Sequence, residues 1–183
     1  KVLLGPERKS HMLTEKENQQ LVALLGKLAW PADRSVFNAL CENFSVTPIE
    51  LVVIREGVHG PEVFLSYRND EYFTGWHITC SIILPGWTAD RVIKDILSRE
   101  VGISLAEPRA EFVRFRQFMK GGGYGQSRRG QEVSLIHVLR LPEGTEVSLD
   151  AERKFFPLDE LPEDILFHHK VVLADVKEYL SRP

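Results

Sequence analysis

Residues 76–103 read WHITCSIILPGWTADRVIKDILSREVGI, and the organisation of the chain follows from this stretch. Its second half is an amphipathic helix over residues 88–100. Thr88 is a suitable N-cap, and Asp90 puts a negative charge in the first turn, where the helix dipole favours it. Val92, Ile93, Ile96 and Leu97 recur at helical spacing and form one apolar stripe. Gly102 is the stop signal, because glycine enters the left-handed region without steric penalty. Asp95 and Arg99 stand four apart, the spacing of an ion pair along a helix. The first half, residues 76–84, is extended, and Pro85-Gly86 breaks it from the helix.

Upstream, residues 49–55 are rich in β-branched side chains and predict a strand. Residues 57–61 make a turn and residues 62–67 a returning strand, so the pair is a β-hairpin. Asn69-Asp70-Glu71 is a polar loop. Earlier still, Leu21, Leu24, Leu25 and Leu28 predict a helix over residues 15–30, with Thr14 and Glu17 as a capping box. Pro31 ends it. A second helix puts Val36, Phe37 and Leu40 on one face, and Pro48 closes the region.

Downstream, residues 112–119 and 133–141 are strands. The glycine-rich run from Lys120 to Gly130, with Ser127, Arg128 and Arg129, joins them as a hairpin loop. A phosphate cradle would need such a loop to feed a helix N-terminus, and this one feeds a strand. Residues 155–158 are a short apolar segment. Residues 164–180 form a terminal helix carrying Val171, Val172, Ala174, Val176 and Leu180. Strands and helices mix without strict βαβ alternation, so the fold class is α/β with a mixed sheet.

Composition agrees. The chain has 183 residues, 43% of them hydrophobic and 27% charged, which suits one domain with a full core. A net charge of −3 gives no reason to expect a nucleic-acid partner. No apolar run approaches the roughly 20 residues that span a bilayer. The start has no long apolar region, so no membrane partner is expected and the cytoplasm is the expected compartment. Cys41 and Cys80 lie in apolar surroundings without metal-ligand spacing, and read as reduced, buried thiols. Ser10-His11-Met12 reads as a cloning scar, so residues 1–13 are expected to be a tag or leader, residues 14–48 a helical segment and residues 49–183 the main domain.

The central stretch resembles the Nudix box, G-x5-E-x7-R-E-U-x-E-E-x-G-U, where U is a bulky aliphatic. Counted back from Gly102 without a gap, Ser81 takes the first Gly, Trp87 the first Glu, Asp95 the Arg and Ile96 the next Glu. Leu97 takes the first aliphatic, Arg99 and Glu100 the paired acids, and Ile103 the last aliphatic. Leu97, Glu100, Gly102 and Ile103 match. The surroundings add to this. Residues 64–68 (FLSYR) and 75–78 (GWHI) sit where the family places a strand ending in Arg and a Trp, with Thr79-Cys80-Ser81 in place of Pro-Gly-Gly. Residues 155–162 (FFPLDELP) before a helix are similar to the family's ending. The helical opening also resembles a bacterial branch related to GDP-mannose hydrolases.

The resemblance implies an α/β/α sandwich with a mixed sheet and an N-terminal helical extension. It implies hydrolysis of a nucleoside diphosphate linked to another group. It also implies Mg²⁺, held by carboxylates stacked on one helix face at i, i+3 and i+4. Those positions hold Ile96, Arg99 and Glu100, so the expected metal site is depleted, Mg²⁺ binding weak, and activity weak or altered. The alternative is a non-catalytic module that binds a nucleotide-like molecule or a protein. Glu100 is the expected catalytic and metal-binding residue. Arg68, Trp76, His77, Arg114 and Arg116 are the expected substrate-binding residues. A nucleotide-like small molecule is the expected partner, and the family's habit of dimerising leaves a homodimer open.

Each candidate has a plainer reading. His77 packs in its strand or touches a ligand. Arg114 and Arg116 line an anionic pocket or are solvated. His168-His169 is expected to be a surface pair, with a metal or proton-transfer role as the alternative, and His137 to face the core or sheet. Glu100 is an exposed acid or a ligand. If ligands come from outside the box, Glu71, Asp90 and Glu152 are the candidates.

Overall fold

In β1 (Pro48–Gly57), Ile49, Leu51 and Val53 face one apolar cluster while Val52 and Ile54 face another. This strict alternation buries a strand on both sides, which is why it reads as a nearly continuous apolar run. A computed structural model describes residues 12–30, 32–70, 73–119 and 130–182. The chain divides into two compact units, Lys1–Val36 and Phe37–Pro183.

In the first unit, α1 (Glu15–Leu25) opens with the expected capping box, in which Glu17 N–H bonds Thr14 Oγ1 and the Glu17 carboxylate bonds Thr14 N–H. It ends at Gly26, short of the predicted residue 30, because glycine is a poor helix former. None of its residues is buried: Leu21, Leu24 and Leu25 are all exposed. Pro31 lies outside the described residues.

In the second unit, α2 (Arg34–Asn43, mostly within this unit) buries Cys41. Then follow β1, β2 (Gly60–Asn69), β3 (Thr74–His77) and β4 (Thr79–Ile82). Next come α3 (Ala89–Ile96), β5 (Ala110–Met119), β6 (Gln131–Arg140), β7 (Arg153–Pro157) and α4 (Phe167–Leu180). The seven-stranded sheet has the order β3-β2-β1-β6-β5, with β4 on β1 and β7 on β2. It is mixed, because β1 and β6 run parallel while the other pairs are antiparallel.

α3 buries Val92, Ile93, Ile96 and then Leu97 against Ile49, Leu51, Val53 and Phe64. Each such side chain contributes about 1.5–3 kcal/mol when fully buried. α4 covers the other face with Val172, Leu173 and Val176, packed on Val52, Ile54, Ile136 and Val138. The unit is therefore the expected α/β/α arrangement.

Two boundaries differ from expectation. Residues 76–84 split into β3 and β4 at Ile78. The terminal helix starts at Phe167 instead of residue 164. Asp164 O accepts Trp76 N–H at 3.2 Å and Leu166 N–H bonds Trp76 O at 2.9 Å, which holds that segment extended beside β3. Gly75 makes this approach feasible: its φ is +137°, and a Cβ there would overlap the Asp164 carbonyl oxygen.

Candidate functional site

The site forms where the sheet divides. The first half of β1 pairs with β4 (Leu51 opposite Thr79), and its second half pairs with β2 (Ile54 opposite Val63). Between them the chain crosses from β3, which lies on β2, to β4, with Ile78 at the crossing. His169 of α4 accepts the Ile78 N–H at Nδ1, 3.1 Å away.

Since Nδ1 accepts, the neutral ring carries its proton on Nε2. That nitrogen lies 3.5 Å from Glu50 Oε2, and the two side chains are 2% and 3% exposed. Ser134 Oγ donates to the other Glu50 oxygen at 3.4 Å. Burial holds His169 well below the usual histidine pKa, with the charges of His77 and Arg68 adding to the effect. The expected surface pair His168-His169 is corrected here: His169 is buried, and only His168 is partly open. The first turn of α4 turns the second histidine inward, against β1.

His77 stacks on His169 with ring centroids 6.0 Å apart. Its Nδ1–H donates to Ser66 O at 2.6 Å, which leaves Nε2 as an acceptor. Burial lowers its pKa, against the Ser66 bond. Arg68 of β2 bonds Asp70 at 2.6 Å and lies over the Phe73 ring at 5.1 Å.

Glu100 sits past the end of α3 on a π-helical turn, Leu97–Val101, closed by Gly102 in the left-handed region at φ 81°. Such turns recur at functional sites. Cys80 N–H donates to Glu100 Oε2 at 3.3 Å, and Arg99 Nη2 lies 3.3 Å from Oε1. Burial pushes its pKa up to about 7, against the pull of Arg99 and the Cys80 N–H; Glu50 raises it further and Arg68 opposes. A carboxyl group poised there can exchange a proton near neutral pH. Cys80 itself is half-buried, not fully buried as expected; both cysteines are reduced thiols.

The charge of Arg68 thus acts on Glu100 and His77 stacks on His169, whereas the other expected residues make their contacts elsewhere. Trp76 is core, edge-on to Tyr67 and Phe156. Arg116 makes a bidentate pair with Asp175 of α4 at 2.6 Å, and Arg114 reaches Asp175 and Glu178 at 3.0 Å. These arginines clasp β5 to α4. His137 is 9% exposed, edge-on to Phe112.

Among the described residues the donor set does not fit a divalent ion. Ile96 is fully buried in the core and has no donor atom. Arg99 binds Asp95 at 3.3 Å as well as Glu100, and its Nη2 reaches Ser81 Oγ at 3.4 Å. Trp87 lies under the Arg91 guanidinium, 4.0 Å from its ring centre. Asp90 and Glu152 are exposed, and Glu71 lies outside the described residues, as does the loop from Lys120 to Arg129. Among the described residues no group of three or more His, Cys, Asp or Glu side chains could hold a metal. No helix there is long and apolar enough to cross a membrane.

Sequence reasoning missed Glu50 and placed His169 at the surface. A signal for Glu50 existed: it is the single acid inside the apolar run Ile49 to Ile54, and buried carboxylates need a partner.

No protein-family model matches the sequence, and no curated protein matches it. Solved structures do match. The Nudix domain of Shewanella oneidensis NrtR, complexed with ADP ribose, is 15% identical at TM-score 0.56, covering 92% of this chain and 100% of that one. The Ap4A hydrolase of C. elegans is 13% identical at TM-score 0.58, covering 75% and 100%. A MutT Nudix hydrolase of Burkholderia pseudomallei is 17% identical at TM-score 0.57, covering 73% and 99%. With its mixed sheet held between α3 and α4, the chain has the Nudix fold.

Proposed function

We propose that this chain binds a nucleoside-diphosphate-linked compound beside Glu100 and does not hydrolyse it. The observation that carries this reading is the Arg99–Glu100 ion pair at 3.3 Å. The remaining box carboxylate is already matched to a cation of the chain itself. The fold supplies the ligand class: the similar domain of NrtR was seen with ADP ribose. The resemblance of the N-terminal helices to GDP-mannose hydrolases adds nucleotide sugars to the range.

A second reading, a slow hydrolase, is favoured by one observation. Glu100 titrates near neutral pH, where a general base works best. One experiment separates the two. Calorimetry with ADP-ribose, GDP-mannose and a dinucleoside tetraphosphate in Mg²⁺ reads binding, and phosphorus NMR of the same mixtures reads cleavage. Binding without new phosphate signals supports the module. Turnover that Glu100→Gln removes supports the hydrolase. Absence of binding to every compound overturns both.

A further inference from the structure

We infer that Arg99 stands in for a divalent cation: its guanidinium, with that of Arg68, holds the diphosphate of the ligand, so binding requires no metal. This rests on the nucleotide-binding reading above and names the residues that would carry it.

Arg99 is held at the site from two elements. Asp95 Oδ2 on α3 takes its Nε at 3.3 Å, Glu100 Oε1 lies 3.3 Å from Nη2, and Ser81 Oγ on β4 accepts from Nη2 at 3.4 Å. These contacts use Nε and Nη2. Nη1 takes part in none of them, and the side chain is 57% exposed. A guanidinium has five N–H donors in a planar fork that matches phosphate oxygens, so an anchored, half-open Arg99 keeps donors for a second partner.

On β2 Arg68 pairs with Asp70 at 2.6 Å, and its charge, like that of Arg99, acts on Glu100. Asp70 orients it as Asp95 orients Arg99. Two oriented guanidiniums therefore act on the one carboxyl of Glu100, an arrangement suited to adjacent phosphates. On a helix face where carboxylates would collect a metal cation, the chain has placed a cation covalently.

The test is calorimetry on the whole chain with inorganic pyrophosphate and with ADP-ribose, each in EDTA and in Mg²⁺. The expected result is equal affinity in both buffers, an Arg99→Gln variant weaker by about tenfold or more in EDTA, and partial recovery in Arg99→Lys, which restores charge without the fork. Thermal melts establish that the variants fold. Two outcomes overturn the inference while the nucleotide reading stands: wild-type binding that EDTA abolishes, or Arg99→Gln binding as tightly as wild type. If wild type binds neither probe in either buffer, the nucleotide reading falls and the role of Arg99 falls with it.

Discussion

The imidazole of His169 accepts the Ile78 N–H at 3.1 Å, and in doing so fixes its own proton on the side that faces Glu50. The bond closes the gap left where β3 hands over to β4, because an N–H buried without a partner would cost roughly 1–3 kcal/mol. A His169→Leu variant should therefore lose about that much or more. His169→Asn should lose less, since its amide oxygen can replace Nδ1. Urea unfolding of the two variants beside wild type checks this, and equal losses would mean the Ile78 bond contributes nothing particular.

Glu100 should make stability fall as pH rises. Its carboxyl has a value near 4.5 when unfolded and about 7 in the fold, so between these the folded state binds more protons. The contribution is full below 4.5 and lost as pH rises through about 7, amounting to about 3 kcal/mol at most. His169 acts oppositely: its folded pKa lies well below 6.5, so its contribution is present above 6.5 and lost as pH falls. Denaturant midpoints from pH 5 to 8 should show Glu100→Gln gaining on wild type as pH rises. Parallel profiles for the two proteins would count against the buried, raised carboxyl.

Asp175 should matter to stability and not to ligand binding. It is 4% exposed and holds both Arg114 and Arg116. Asp175→Ala removes the shared partner, and because Arg114 and Arg116 stay partly open to solvent the loss should be about 1–3 kcal/mol. Arg116→Ala should lower the melting temperature and leave nucleotide affinity unchanged. A loss of affinity without a loss of stability would return Arg116 to the ligand site.

Restoring box acids should fail on packing grounds. Ile96→Glu with Arg99→Glu puts a carboxylate where Ile96 has no exposure at all. Burying that charge without a partner costs several kcal/mol, and the carboxylate that replaces the Arg99 guanidinium repels both Asp95 and Glu100. Circular dichroism melts should show a marked drop. A stable variant with a new Mg²⁺ isotherm would mean that the helix can turn this face to solvent.

What the sequence revealed depended on periodicity. The stripe of Val92, Ile93, Ile96 and Leu97 has one meaning at helical spacing, so α3 and its Thr88 cap were legible, as were β1 and the Glu100 position. The break at Ile78 was not, because no glycine or proline marks it; its cause is a side chain on α4, distant in sequence. The start of α4 was misplaced because the bonds of Asp164 and Leu166 to Trp76 are tertiary. His169 resembled a surface residue because nothing in a His-His pair tells which ring turns inward. In α1 the opposite occurred: a leucine stripe that reads as core is exposed.

The π turn at Leu97–Val101 bears on how relatives can be aligned with this chain. A π turn holds one residue more than an α turn, so side chains on its two sides are out of phase by about 100° compared with a continuous α-helix. Alignment columns counted across it without a gap can match positions that point in different directions. A relative whose helix is straight would place its acids one step away from those of this chain, and the offset would leave no trace in the letters. Only the backbone dihedrals record such a one-residue slip.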